Sequence, residues 1–214
     1  MRNPRGEKVI CGVGVNDADY VVITYETLPK MNGKRSRRIV WECPFYVRWK
    51  SMIRRCYSNN KEFKDRTYKD CIVCDEWHLF SNFKSWMEQQ DWEGKHLDKD
   101  ILIHGNKVYA PDLCVFVDQK VNNFLTERKM TSNPYPTGVV FLNHLNKFKA
   151  ACHNVKTKQQ KHIGLFETAE EAHLAWLFYK LEQAKSLASE QTDQRVAVAL
   201  ISRYENYLKE KEVE

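Results

Sequence analysis

LDKDILIHGNKVYAPDLCVFVDQKVNNFL, residues 97–125, contains two apolar runs separated by a turn signal and followed by a helical pattern. Leu97 to Ile103 predicts a short strand, and Gly105-Asn106 supplies residues that reverse a chain cheaply, because both tolerate positive φ. Cys114 to Val117 can return as the paired strand. Asp118 then stands where an N-cap belongs, ahead of a helix carrying Val121, Asn122, Asn123, Phe124 and Leu125. The expected product is a strand, loop, strand and helix, a unit that can hold one divalent ion between an Asp on its first strand and an amide or imidazole on its helix. That is the simplest arrangement for cutting a phosphodiester.

The residues Leu97-Asp98-Lys99-Asp100, Gly105-Asn106, Tyr109-Ala110-Pro111, Cys114-Val115-Phe116-Val117 and Asn122-Asn123 resemble the HNH endonuclease family in its phage homing-endonuclease branch. The resemblance implies a ββα-metal fold with Mg2+ or Mn2+ as cofactor, Asp98 with Asn122 or Asn123 as metal ligands, and Asn106 as the brace of the loop. Asp100 is a further candidate carboxylate beside Asp98. The family usually carries His directly after the first Asp as general base. Here that place holds Lys99, a poor base between two carboxylates, which is expected to grip phosphate instead. Strand alternation sets His96 on the side of Asp98 and Asp100, and His104 lies in the loop, so these two are the candidate replacement bases.

Upstream, Ile10 to Val15 and Tyr20 to Tyr25 read as short strands on either side of an Asn16-Asp17-Ala18-Asp19 turn. Asn32 to Arg38 places four basic residues in a flexible setting that can touch phosphate or simply face water. Pro44 suits the first turn of a helix in which Phe45, Trp49, Met52, Ile53 and Cys56 share one face. Its other face holds Arg48, Lys50, Arg54 and Arg55, and is either an ordinary wet face or a basic surface lying along DNA backbone. After a polar linker from Ser58 to Asp70, a second helix is expected from near Asp75. There Trp77, Phe80, Phe83, Trp86 and Met87 recur at helical spacing as the core of the first domain.

Turn formers and two prolines between Thr131 and Gly138 mark a boundary, giving domains of 1–130 and 131–214. Val139 to Leu142, Lys147 to Val155 and Gln160 to Phe166 predict three strands. Thr168-Ala169-Glu170-Glu171 forms a capping box ahead of a helix with Ala172, Ala175, Trp176, Tyr179 and Leu181. Gly138-Val139, Lys147-Phe148-Lys149-Ala150 and the run from His162 to Ala172 resemble the Apetala/ethylene-response-factor DNA-binding domain, a module often joined to phage HNH endonucleases. That resemblance implies a three-stranded antiparallel sheet packed on one helix and bound to double-stranded DNA. Alternation turns Phe148, Ala150 and Cys152 toward the helix, and leaves Lys147, Lys149 and His153 on the open face with His162 from the next strand. Lys156, Lys158 and Lys161 crowd the hairpin. No Arg occurs between Asn133 and Ala188, so the module is equipped to hold phosphate rather than to read guanine. The tail from Asp193 repeats Val196, Leu200, Ile201, Tyr204 and Leu208 at helical spacing, and can cap this module or pair with a partner chain.

The whole reads as an α+β chain of 214 residues with 34 Lys and Arg against 28 Asp and Glu, a formal net charge of +6. That excess permits a polyanionic partner without requiring one, so the distribution of charge has to carry the reading. The apolar runs are too short to cross a bilayer and no basic-then-apolar leader opens the sequence. A soluble, cytoplasmic protein is expected, by the resemblance a phage protein inside its bacterial host. The seven cysteines are an odd number with only Cys71 and Cys74 closely spaced, which predicts reduced thiols, no disulfide and no structural zinc. Two functions stand as alternatives. One is metal-dependent cleavage or nicking of duplex DNA; the other is a decayed HNH fold that binds nucleic acid or inhibits a host nuclease or defence complex. Asp98, Asn106 and Asn122-Asn123 favour the first, Lys99 the second.

Overall fold

The computed structural model describes residues 6–29, 36–59, 68–126 and 133–213. They form a mixed α+β chain that divides into two compact units: Met1–Asp100 with Gly105–Phe116, and Ile101–His104 with Val117–Glu214. Among the described residues, no helix is long and apolar enough to cross a membrane.

The first unit is built around helix α1 and a cluster of aromatic side chains. β1 (Val9–Ile10) and β2 (Gly14–Val15) make a tight hairpin, and β3 (Ile23–Thr27) pairs antiparallel with β4 (Arg37–Glu42). Arg37 and Arg38, expected in a flexible basic run, are therefore strand residues, while 30–35 lie outside the described residues. α1 spans Pro44–Tyr57, with Pro in the first turn and Tyr46, Trp49, Met52 and Ile53 buried. These recur at three- and four-residue spacing, the pattern of a helix with one dry face. β5 (Ile72–Val73) follows. The helix expected from Asp75 is split: a 3-10 turn, Asp75–His78, breaks at the extended Leu79 before α2 (Phe80–Met87). Trp77 lies on the first piece, and its carbonyl accepts a buried 2.7 Å hydrogen bond from Trp49 Nε1. That bond satisfies an indole that would otherwise be costly to bury.

β6 (His96–Asp98), β7 (Val108–Tyr109) and β8 (Val115–Val117) complete this region. β6 pairs with β8 as expected, but β6 is shorter than the run to Ile103, and β7 runs parallel to β5. A two-residue strand inside Lys107-Val108-Tyr109 has too little periodicity to be recognised in sequence.

In the second unit, α3 (Gln119–Leu125) precedes the sheet of β9 (Val139–Leu142), β10 (Lys147–His153) and β11 (Gln160–Phe166), in spatial order β11-β10-β9 and antiparallel throughout. α4 (Ala169–Ala188) lies against the sheet and α5 (Gln194–Val213) against α4. The capping box is formed: Thr168 Oγ1 accepts from Glu171 N at 3.1 Å, and Glu171 Oε2 accepts from Thr168 N at 3.3 Å. Val196, Leu200, Tyr204 and Leu208 are buried, so the tail helix covers its own module. α3, assigned by sequence to the first domain, belongs with this unit because Phe124 packs on Tyr204 at 5.5 Å between ring centroids. Asp118 is its N-cap by position, without a side-chain cap bond.

Gly138 shows why the joint between sheet and helix needs its sequence. Its φ is +85°, and a Cβ there would stand 2.1 Å from Trp176 Cδ1. Only glycine lets the chain turn into β9 directly beneath the indole.

Candidate nucleic-acid interface

β6 carries the residues expected to do chemistry. Leu97 packs against the aromatic core and Lys99 is 6% exposed, so alternation sets His96 and Asp98 on the opposite side. Lys99, expected to grip phosphate, is engaged inside the chain. Its Nζ donates to Asp100 Oδ2 at 3.2 Å and stands 5.9 Å from the Tyr109 ring centre, the company a buried ammonium requires. Asn106 closes the following loop. Its Nδ2 donates to the carbonyls of Lys99 (2.6 Å) and Val108 (2.8 Å), and its Oδ1 accepts from Val108 N at 3.1 Å. An amide is the group that can donate twice and accept once in such a space.

Of the two carboxylates, Asp100 would have to release the buried Lys99 to hold a metal. Asp98 Oδ1 accepts the backbone N–H of Asp100 at 2.8 Å. Hard oxygen donors of this kind suit Mg2+ or Mn2+, and Mg2+ retains several waters. Among the described residues, no three His, Cys, Asp or Glu side chains gather into a metal-holding group, so a site on Asp98 would rely on amide oxygen and water.

The other expected ligands lie on α3, in the second unit. Successive helical residues point about 100° apart, so Asn122 and Asn123 are not interchangeable. Asn122 is half-buried; Asn123 is exposed, with its Oδ1 accepting from Gln119 Nε2 at 2.6 Å. His104, also in the second unit, shares a 3.2 Å hydrogen bond through Nε2 with the Tyr207 hydroxyl of α5. To act as a base it would first have to leave Tyr207.

α1 is not the free basic surface that its sequence suggests. Arg48 Nη2 donates to the Lys95 carbonyl at 3.1 Å, Arg54 pairs with Glu7 at 2.7 Å, and the Arg55 guanidinium lies 5.2 Å over the Tyr68 ring. These arginines fasten neighbouring chain to the helix, which their spacing could not reveal. The seven cysteines are free thiols. Burial pushes Cys56 and Cys114 up to about 12, so both stay protonated and inert as nucleophiles near neutral pH. Cys71 is a buried core residue and burial raises the neighbouring Cys74 as well.

The sheet of the second unit has one covered and one open face. Ala150 faces Val139 and Gly164, and Phe148 faces Phe141 and Phe166; Val139, Phe148, Ala150 and Phe166 pack with Ala169 and Ala172 on the side under α4. Lys149 faces Val140 and Leu165, which are 50% and 42% exposed. Ala151 faces His162 and His153 faces Gln160. A bulge at Ala150/Ala151 keeps His162 on the open face beside Lys149 and His153, but turns Lys161 with Cys152 to the other side. Lys161, expected in the hairpin cluster rather than on the open face, is exposed there. Lys147 pairs with Glu167 at 2.8 Å and Lys156 with Glu190 at 3.3 Å.

The hairpin beyond His153 is fixed rather than loose. Asn154 Oδ1 accepts from Lys156 N and Thr157 N, both at 2.9 Å, while its Nδ2 donates to Tyr179 Oη at 2.7 Å. Val155 N donates to Gln183 Oε1 at 2.7 Å. Beside this hairpin, a cleft of about 560 Å3 is lined by Lys120, Asn123, Phe124, His153, Lys158 and Lys180 among others. Sequence reasoning missed Lys120 and Lys180. The signal for Lys180 was present, because it falls on the buried stripe of α4 with Trp176, Leu177, Leu181 and Ala184. Its Nζ donates to the Phe124 carbonyl at 2.9 Å and stands 3.6 Å from the Phe124 ring centre, so it caps the end of α3. Comparison with protein-family models, curated proteins and solved structures gives no match for this chain.

Proposed function

We propose that the chain binds duplex DNA through the open face of the β9–β11 sheet, as a protein of the HNH homing-endonuclease type. The observation that carries this reading is the register of β10. It aligns Lys149, His162 and His153 on the uncovered side, with the aliphatic Val140 and Leu165 flanking the lysine. An ammonium can hold a backbone phosphate, while aliphatic groups can meet a thymine methyl or the sugars. The absence of Arg between Asn133 and Ala188 points to affinity with little base discrimination. Fluorescence anisotropy of the full chain with labelled duplexes of different sequence tests it. Similar affinities for all, weakened by Lys149→Gln, are expected; no binding even at low salt would reject the reading.

Metal-dependent nicking is proposed as the chemistry of the first unit, with Asp98 as oxygen donor to Mg2+ or Mn2+ and His96 as the proton acceptor on the same side of β6. Support comes from the Asn106 clamp, which fixes the turn after Asp98 through three hydrogen bonds, the preorganisation that positioned catalysis needs. Plasmid nicking with added metal should be abolished by Asp98→Ala and by His96→Ala, with DNA affinity retained. Cleavage that survives Asp98→Ala would place the chemistry elsewhere.

A second reading, that the same face docks a host protein, is favoured by the exposed Val140 and Leu165. Salt separates the two, because contact with phosphates weakens steeply as salt rises and an apolar contact does not.

A further inference from the structure

The cleft beside the β10–β11 hairpin has a chemical character that duplex binding by the sheet face does not use. Its volume of about 560 Å3 falls within the range of small-ligand pockets, roughly 300–1,000 Å3. Lys120, Lys158, Lys180 and His153 line it, and among the described residues none that lines it is acidic. Lys180 is 7% exposed, so part of the positive charge sits where water screens it poorly.

Two further observations point to an anionic occupant. Lys158 holds φ at +57°, a left-handed conformation that a lysine rarely adopts and that the turn's hydrogen bonds must enforce. The strained residue is one of the cationic groups facing the cleft. At the rim, Glu190 bridges Lys120 at 2.8 Å and Lys156 at 3.3 Å, joining α3 to the hairpin. A carboxylate held by two ammonium groups occupies the place a phosphate would take.

We propose that this cleft binds a phosphate-bearing nucleotide group, with Lys120 and Lys158 as its main contacts and Glu190 as the internal anion that the phosphate displaces. The inference rests on the nucleic-acid reading of this module and extends it to a second site. The phosphate can belong to a free nucleotide or to a nucleic-acid strand that continues from the sheet face into the cleft.

The test uses the full chain at low salt, titrated calorimetrically with inorganic phosphate and deoxyadenosine monophosphate, and by anisotropy with a labelled duplex. Lys120→Gln combined with Lys158→Gln should weaken the ligand that uses the cleft roughly tenfold, the scale of a lost charge-assisted contact. Glu190→Gln should tighten it about two- to fivefold, the range of an exposed ion pair removed. Mononucleotide binding that obeys this pattern supports the site with a free ligand; duplex binding that obeys it, with no mononucleotide heat, supports the strand. If the duplex binds and responds to Lys149→Gln but neither ligand responds to the cleft variants, the cleft proposal falls and the sheet-face reading stands. If wild type binds neither duplex, nucleotide nor phosphate, both fall. Lys180→Met, judged by circular dichroism to be folded, gives a further check, since unchanged affinity in it would overturn a role for the buried charge.

Discussion

Replacing Gly138 by Ala perturbs the joint on which the proposed DNA-binding module depends, and its cost can be worked out from the geometry. An alanine there keeps φ at +85°, a left-handed conformation that costs an L-residue about 1–2 kcal/mol. Its methyl would stand 2.1 Å from Trp176 Cδ1 and 2.4 Å from Cγ and Nε1. The indole has nowhere cheap to go: Trp176 is 6% exposed, and it stacks on His173 with ring centroids 5.5 Å apart. His173 Nδ1 is in turn 3.0 Å from the Thr137 carbonyl. Overpacking of this kind costs about 1–3 kcal/mol, so the two effects together give about 2–5 kcal/mol. Urea denaturation of the full chain, followed by far-ultraviolet circular dichroism, should show the second unit unfolding about 1–3 M earlier at ordinary m-values. Duplex affinity should fall in parallel on warming. A midpoint for Gly138→Ala within error of wild type would refute both the positive φ and the contact with Trp176.

Asn106→Ala removes three hydrogen bonds at once and should destabilise the first unit by about 1–3 kcal/mol, read as an earlier urea transition; an unchanged transition would mean that the loop does not depend on the amide. Asp193 immediately precedes α5 and is held below the usual carboxylate range by Arg195. A depressed carboxyl contributes stability above its unfolded pKa and loses it as pH falls through the folded value. The stability of wild type should therefore decline below about pH 4, and Asp193→Asn should flatten that decline. An equally steep acid limb in the variant would reject the assignment. Cys11 is exposed whereas Cys56 and Cys114 sit at about 12. Under native conditions an alkylating reagent should label Cys11 first and those two only on unfolding, as peptide mass spectrometry would show.

Secondary structure was legible where one pattern ran long enough to be unambiguous. β9 and β11, the capping box and α1 follow the alternation, the S/T-x-x-E signature and the proline start seen in the sequence, because local propensity and burial agree there. β5, β7 and β4 were not legible. Two-residue strands carry no period, and the alternation of Arg37–Glu42 is masked because nearly the whole strand is exposed. The candidate site divides in the same way. Lys149 and His153 share a face as alternation requires, but His162 joins them through the bulge, a backbone event with no residue signature. Charge was the least readable property. Arg48, Arg54, Arg55 and Lys99 all looked available in sequence, yet each meets a partner brought from a distant segment or a turn.

The salt dependence of duplex binding tests the central claim most directly. The logarithm of the association constant for the full chain should fall steeply and linearly with the logarithm of salt concentration. Lys149→Gln should reduce the magnitude of that slope by about 0.9, whereas Arg48→Gln, whose guanidinium holds the Lys95 carbonyl, should leave it unchanged. A flat salt dependence, or a slope that responds to Arg48 and not to Lys149, would contradict the assignment of the sheet face as the DNA-binding surface.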